Sequence, residues 1–204
     1  MNPLHKKWYE DAKVHAGTQA GLLAPNDSEL AHRRMASALK LINVCIARLM
    51  GSGKETITLL DVGCGYADLG ALVAEGTLYT GLEEIQWIYE AAKEKHPNLN
   101  VINVSLSEYV WAFKKEDRPS YDIVVALGVM ATLTEIEDGP FVEDLTCLAD
   151  KYLVLSYQDA TRYKGQFRSF TNEQVMEMFC CPIMQDDAII PEWDTQNWVL
   201  MRLL

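Results

Sequence analysis

Two glycines and two carboxylates are the residues of this 204-residue chain whose types and spacing point to chemistry. The run Leu59-Leu60-Asp61-Val62-Gly63-Cys64-Gly65-Tyr66-Ala67-Asp68-Leu69 passes from an apolar stretch through a glycine turn toward a helical one. A ligand lying over a strand-to-helix turn needs backbone that approaches without Cβ atoms and tolerates positive φ, and the N–H groups at the helix start attract a carboxylate. Gly63 and Gly65 meet that need, and Asp61 sets an acid at the strand end. The second acid closes Leu78-Tyr79-Thr80-Gly81-Leu82-Glu83-Glu84, about 20 residues beyond Gly63, where the neighbouring strand of a doubly wound sheet offers a carboxylate to ribose hydroxyls. A carboxylate accepts two hydrogen bonds from a vicinal diol. Glu83 is therefore the expected ribose ligand, with Glu84 capping the helix that follows from Ile85 to Lys95. Two rival motifs fail. A dinucleotide fingerprint requires glycine where Asp68 stands. A phosphate loop at Gly51-Ser52-Gly53-Lys54 requires glycine at Arg48, Ser or Thr at Glu55, and a preceding strand.

The Asp61 to Ala67 run resembles motif I of the class I S-adenosylmethionine-dependent methyltransferases, in which apolar residues and an acid precede G-x-G-x-G; Ala67 stands at the third glycine. The resemblance covers about 57–157 well. It implies S-adenosylmethionine as cofactor, held by Asp61, Gly63, Cys64, Gly65, Tyr66, Glu83 and Glu84. It also implies that Ser105 and Leu106, at the third strand end, take the adenine, and that Arg34, on the helix before motif I, grips the methionine carboxylate. Leu127, Gly128 and Met130 after the fourth strand are expected to face the transferring methyl group, with Tyr9, Met130 and Tyr157 touching the acceptor. Ala126-Leu127-Gly128-Val129 lacks the (Asp/Asn/Ser)-Pro-Pro-aromatic motif of amino-methylating enzymes, the Pro-Cys of cytosine-C5 enzymes and the aspartate of metal-dependent catechol-type enzymes. Tyr157, Asp159 and His15 are the candidates for a general base, needed only where the acceptor must lose a proton.

Positioning these residues requires a doubly wound, Rossmann-like α/β domain. Met35, Leu39, Ile42, Ile46 and Leu49 step by four and three, which predicts an amphipathic helix over 28–50, capped near Pro25-Asn26-Asp27-Ser28 and ended by Gly51-Ser52-Gly53. Short apolar runs at 57–62, 78–82, 100–104, 123–127 and 153–157, separated by helical stretches, predict parallel βαβ units. Thr171-Asn172-Glu173-Gln174 has the pattern of a capping box opening a helix to about Cys180. Runs at 184–190 and 198–204, joined by a short turn, predict an antiparallel C-terminal hairpin and a mostly parallel seven-stranded sheet. One domain results, with 1–55 as an N-terminal helical substrate or lid segment and 56–204 as the cofactor-binding core.

Composition narrows the partners. The net charge of -11 repels a phosphate backbone, which points away from nucleic acid and toward a small-molecule acceptor, with a protein acceptor as the other candidate. No apolar run reaches a membrane span and none follows the basic start as in a signal peptide, so a cytoplasmic location is expected. Five cysteines and four histidines lack metal-ligand spacing, and no metal is expected. The rival to a catalytic reading is a methyltransferase-like module that binds the cofactor or a protein partner without turnover.

Overall fold

The computed structural model describes residues 28–73, 75–133, 137–161, 168–180 and 196–202. It opens with α1, Ser28–Gly51. Met35, Ile42, Ile46 and Leu49 of the expected apolar stripe are buried together with Ala38, Leu41 and Cys45, while Leu39 sits at the stripe's edge, partly buried. The helix stops where the Ser52 hydroxyl reaches back to the Leu49 carbonyl at 2.7 Å and Gly53 turns the chain at a φ of 90°.

The elements after it alternate: β1 Ile57–Val62, α2 Asp68–Leu72, β2 Thr77–Leu82, α3 Gln86–Lys95, β3 Asn100–Ile102, α4 Leu106–Trp111, β4 Tyr121–Ala126, α5 Asp138–Leu148, β5 Ala149–Asp159, β6 Ser169–Phe170, α6 Asn172–Phe179 and β7 Gln196–Arg202. The path β3-β2-β1-β4-β5-β6 is parallel throughout. β7 runs antiparallel along β5. Of the expected hairpin, 184–190 lies outside the described residues, and β6 is a short strand that periodicity did not reveal. α6 begins at Thr171 with both bonds of the capping box formed, as the residue types require.

Side chains on the two faces of the sheet build two apolar layers. α1, α2 and α3 pack with Leu59, Ile123, Val125 and Val154 on one face. α4, α5 and α6 pack with Leu60, Val62, Val124 and Leu155 on the other. The chain winds outward from β1 to β3 and then crosses back to β4, so strand order reverses between β1 and β4. Connections diverge there, and the carboxyl ends of those strands border a crevice. Among the described residues no helix is long and apolar enough to cross a membrane.

The opposite end of the same strand pair is locked by Asp122. Its Oδ2 accepts the Thr58 amide at 2.8 Å and the Thr58 hydroxyl at 2.9 Å, while Oδ1 pairs with Lys54. The lysine of the failed phosphate-loop motif thus has a structural partner. Burial works to raise the Asp122 carboxyl, but the Lys54 ammonium and the two Thr58 donors outweigh it and hold the group below its ordinary 3.8. We expect Asp122→Ala to cost about 1–3 kcal/mol in urea unfolding, because the Thr58 donors lose their acceptor. A depressed carboxyl contributes stability above the unfolded-state pKa, so the difference between wild type and variant should shrink as pH falls below 3.8.

Candidate functional site

At the crevice, the chain leaves β1 through a turn whose backbone alternates in hand. Gly63, Gly65 and Ala67 have φ of 69°, 56° and 58°. Alternating left-handed residues curl successive amides toward one side, the geometry of anion-binding backbone concavities. The position of the third motif glycine is left-handed here too, and alanine occupies it at a cost of about 1–2 kcal/mol of backbone strain. Its methyl is fully buried, which offsets part of that cost.

Glu83 ties this turn to the end of β2. Its Oε2 accepts the Gly65 amide at 2.9 Å and its Oε1 accepts the Ile85 amide at 2.9 Å. The side chain of Asn103, beyond β3, donates to the Glu83 carbonyl at 2.8 Å. Glu83 is 5% exposed. Burial pushes its carboxyl up to about 7, against the pull of the Ile85 and Gly65 amides, with the charges of Glu84 and Asp61 adding to the rise. Each oxygen has one further lone pair, so the group retains capacity for a pair of hydroxyl donors.

Asp61 is fully buried, and its Oδ2 accepts the Tyr79 hydroxyl at 2.9 Å. Tyr79 was not among the expected site residues. Its β2 position, two residues before Gly81, gives no sign in sequence that its ring turns toward β1. The ring is admitted because a Cβ on Gly70 would lie 2.7 Å from it. Burial, then the charge of Asp61, raise the Tyr79 phenol well above its ordinary range, so it stays a donor. Cys64 points inward: a Cβ on Gly81 would lie 2.7 Å from its Sγ. Burial and the nearby carboxylates of Asp61 and Glu83 raise the thiol, which keeps it protonated and poorly nucleophilic. With its thiol turned inward, Cys64 offers the turn its backbone. Tyr66 is buried and meets Trp87 edge to face at 6.5 Å.

Other expected residues are placed differently. Glu84 does not cap α3: the N-cap is Ile85 without a side-chain bond, and Glu83 receives the Ile85 amide instead. Ser105 caps α4 in a reciprocal box with Glu108, its hydroxyl donating to Glu108 Oε2 at 2.7 Å, so that hydroxyl is already committed. Leu106 and Leu127 are buried in opposite apolar layers. Met130 and Tyr157 are fully buried, and the Tyr157 hydroxyl donates to Asn172 Oδ1 at 2.6 Å. Asp159 accepts the Thr161 amide at 2.8 Å and hydroxyl at 2.7 Å, closing a turn after β5. In this arrangement Met130 and Tyr157 pack in the apolar layer beneath the sheet and Asp159 closes a turn. Arg34 is buried on α1, a setting an arginine tolerates only with partners. Tyr9 and His15 lie outside the described residues. No cluster among the described residues has the composition of a metal site.

The wall opposite Glu83 comes from the chain after β4. Gly128 turns at a φ of 75°, and its amide donates to the Ser156 hydroxyl oxygen at 2.8 Å. The next residue, Val129, covers the glycine turn so closely that a Cβ on Gly63 would lie 2.7 Å from its Cγ2. Farther out, a cavity of about 420 Å³ is lined by Asp138, Arg168, Phe170, Gln174 and Glu177 among others. Arg168 joins Asp138 through both terminal guanidinium nitrogens and lies 4.8 Å over the Phe170 ring.

No protein-family model and no curated relative matches the sequence. The fold matches solved class I methyltransferases. A SAM-dependent methyltransferase from Leishmania major aligns with 96% of this chain and 83% of its own, at a TM-score of 0.67 and 15% identity. Magnesium protoporphyrin IX methyltransferase from Synechocystis, crystallised with bound SAM, aligns with 82% of this chain and 79% of its own, at 0.62 and 17%. The 1,6-didemethyltoxoflavin-N1-methyltransferase of Burkholderia thailandensis, solved with bound 1,6-didemethyltoxoflavin and S-adenosylhomocysteine, aligns with 82% of this chain and 78% of its own, at 0.60 and 15%. The architecture is thus the class I methyltransferase fold.

The motif turn yields a direct test. Gly63→Ala places a Cβ in a left-handed position and against Val129, so unfolding free energy should fall by about 1–3 kcal/mol in urea titration. An unchanged midpoint would show that the turn relaxes freely.

Proposed function

We propose that this chain is an S-adenosylmethionine-dependent methyltransferase acting on a small-molecule acceptor. The observation that carries the reading is the buried Glu83 carboxylate beside the left-handed Gly63–Ala67 turn, at the point where strand order reverses. A carboxylate and a curled amide turn, side by side at the carboxyl ends of β1 and β2, fit the two polar ends of that cofactor: a ribose diol and an amino-acid zwitterion. Fold neighbours solved with SAM or its demethylated product support the choice. A porphyrin in one neighbour's name and a toxoflavin precursor in another's support a small-molecule acceptor, as does the strongly acidic composition.

In this reading Glu83 takes the ribose hydroxyls on its remaining lone pairs. Gly63, Gly65 and the backbone of Cys64 and Tyr66 border the methionine end, with Asp61 oriented by Tyr79 and Arg34 as the cation for the methionine carboxylate. Leu106 and the Ser105 backbone flank the adenine. The cofactor supplies a sulfonium-activated methyl group. The protein supplies alignment and a dry setting, since Leu127, Gly128 and Val129 form an apolar wall at the β4 end; an in-line displacement that disperses positive charge gains most from those two effects. Residues 1–55 contribute the acceptor side of a single domain.

Calorimetry with S-adenosylhomocysteine tests this. Wild type should bind, and Glu83→Gln should weaken binding by about tenfold or more, because one diol acceptor becomes an amide donor. No heat of binding to wild type would refute the cofactor assignment. The pH dependence has a definite sign. The diol donates to the ionised carboxylate, so affinity should be level above pH 7 and fall as pH drops through about 7, losing about tenfold by one unit below it. Glu83→Gln should abolish that dependence.

A further inference from the structure

We propose that Ser156 is a positioning residue for methyl transfer: from β5 its hydroxyl oxygen holds the turn after β4 against the glycine turn after β1. This rests on the cofactor reading of the cleft. Within Leu153-Val154-Leu155-Ser156-Tyr157 the side chains alternate between the two apolar layers, Leu153, Leu155 and Tyr157 to one and Val154 to the other. Ser156 continues the Val154 side and places an aliphatic hydroxyl in a fully buried stretch of strand. Packing alone would favour alanine or valine at such a position, because a buried hydroxyl without a partner is unfavourable.

Its partner is specific. Beyond Ala126 the β4 chain leaves the parallel ladder. Gly128 takes a positive φ, a conformation that turns its amide away from strand geometry. The Ser156 oxygen receives that amide at 2.8 Å across a sequence separation of 28 residues. The peptide so held leads into Val129, whose Cγ2 seats over Gly63. One hydroxyl thereby sets the distance between the apolar wall and the turn expected to hold the methionine end. Ser156 itself touches neither turn's ligand face. It acts through Gly128 and Val129, and a small shift of that wall would disturb alignment at the methyl group.

The test uses the full chain with Ser156→Ala, Ser156→Cys and Ser156→Thr. Amide hydrogen exchange at Gly128 reads the bond directly, and calorimetry with S-adenosylhomocysteine reads the cleft. In Ser156→Ala, Gly128 exchange should accelerate about tenfold and product affinity should fall about fivefold, whereas Ser156→Thr, which keeps the oxygen, should restore both toward wild type. Ser156→Cys keeps the volume with a poor acceptor and should behave like alanine; it carries the comparison with threonine if the alanine variant does not fold. Unchanged Gly128 exchange and unchanged affinity in Ser156→Ala, with wild type binding normally, would overturn the inference. So would equal losses in alanine and threonine variants, which would make Ser156 a packing residue. Failure of wild type to bind the product would instead overturn the cofactor reading, and the inference with it.

Discussion

Glu83 stands at the end of β2 with its two oxygens committed in different directions, one to the amide of Gly65 and one to the amide of Ile85. Those two bonds join the turn after β1 to the start of α3, so a single buried carboxylate fixes the relative position of two adjacent loops. Removing a carboxylate from water is unfavourable, and here two amide donors only partly compensate, which is why its proton affinity rises toward neutrality. A group in that state responds to any further hydroxyl donor, because a new hydrogen bond stabilises the ionised form. The joining of the two loops and the raised proton affinity of the carboxyl thus have one physical origin.

The left-handed turn depends on that bond and on its surroundings. Three alternate residues at positive φ are unfavourable for a chain of L-amino acids unless glycine occupies most of them. The turn is held from below by Tyr79 on Asp61, from the side by Glu83 on Gly65, and from above by Val129 on Gly63. Small residues recur where these supports converge. Gly70 admits the Tyr79 ring, Gly81 admits the Cys64 thiol, and Gly63 admits Val129. Each marks a place where a neighbour's side chain fills the volume that a Cβ would take.

Polarity at the two ends of the sheet is divided. The amino ends of β1 and β4 are closed by the Lys54, Thr58 and Asp122 cluster, whose polar groups pair with one another. The carboxyl ends keep a carboxylate with spare acceptor capacity beside an apolar wall.

Sequence alone determined the elements that depend on near neighbours. The three-and-four spacing of Met35, Leu39, Ile42, Ile46 and Leu49, the Thr171–Gln174 capping box, the parallel strands and the Gly63–Gly65 turn are readable because helical period, cap chemistry and glycine conformation act within a few residues. The place of Glu83 at the end of β2 was readable through its distance from the turn. Tertiary structure decided what each polar side chain touches. It turned Cys64 inward, committed the Ser105 hydroxyl to Glu108 and that of Tyr157 to Asn172, gave the α3 amide to Glu83 rather than Glu84, and brought Tyr79 to Asp61 and Ser156 to Gly128. Most of those partners sit on different strands or loops, and their meeting depends on the register of one strand against another, a property that no local pattern of residue types encodes.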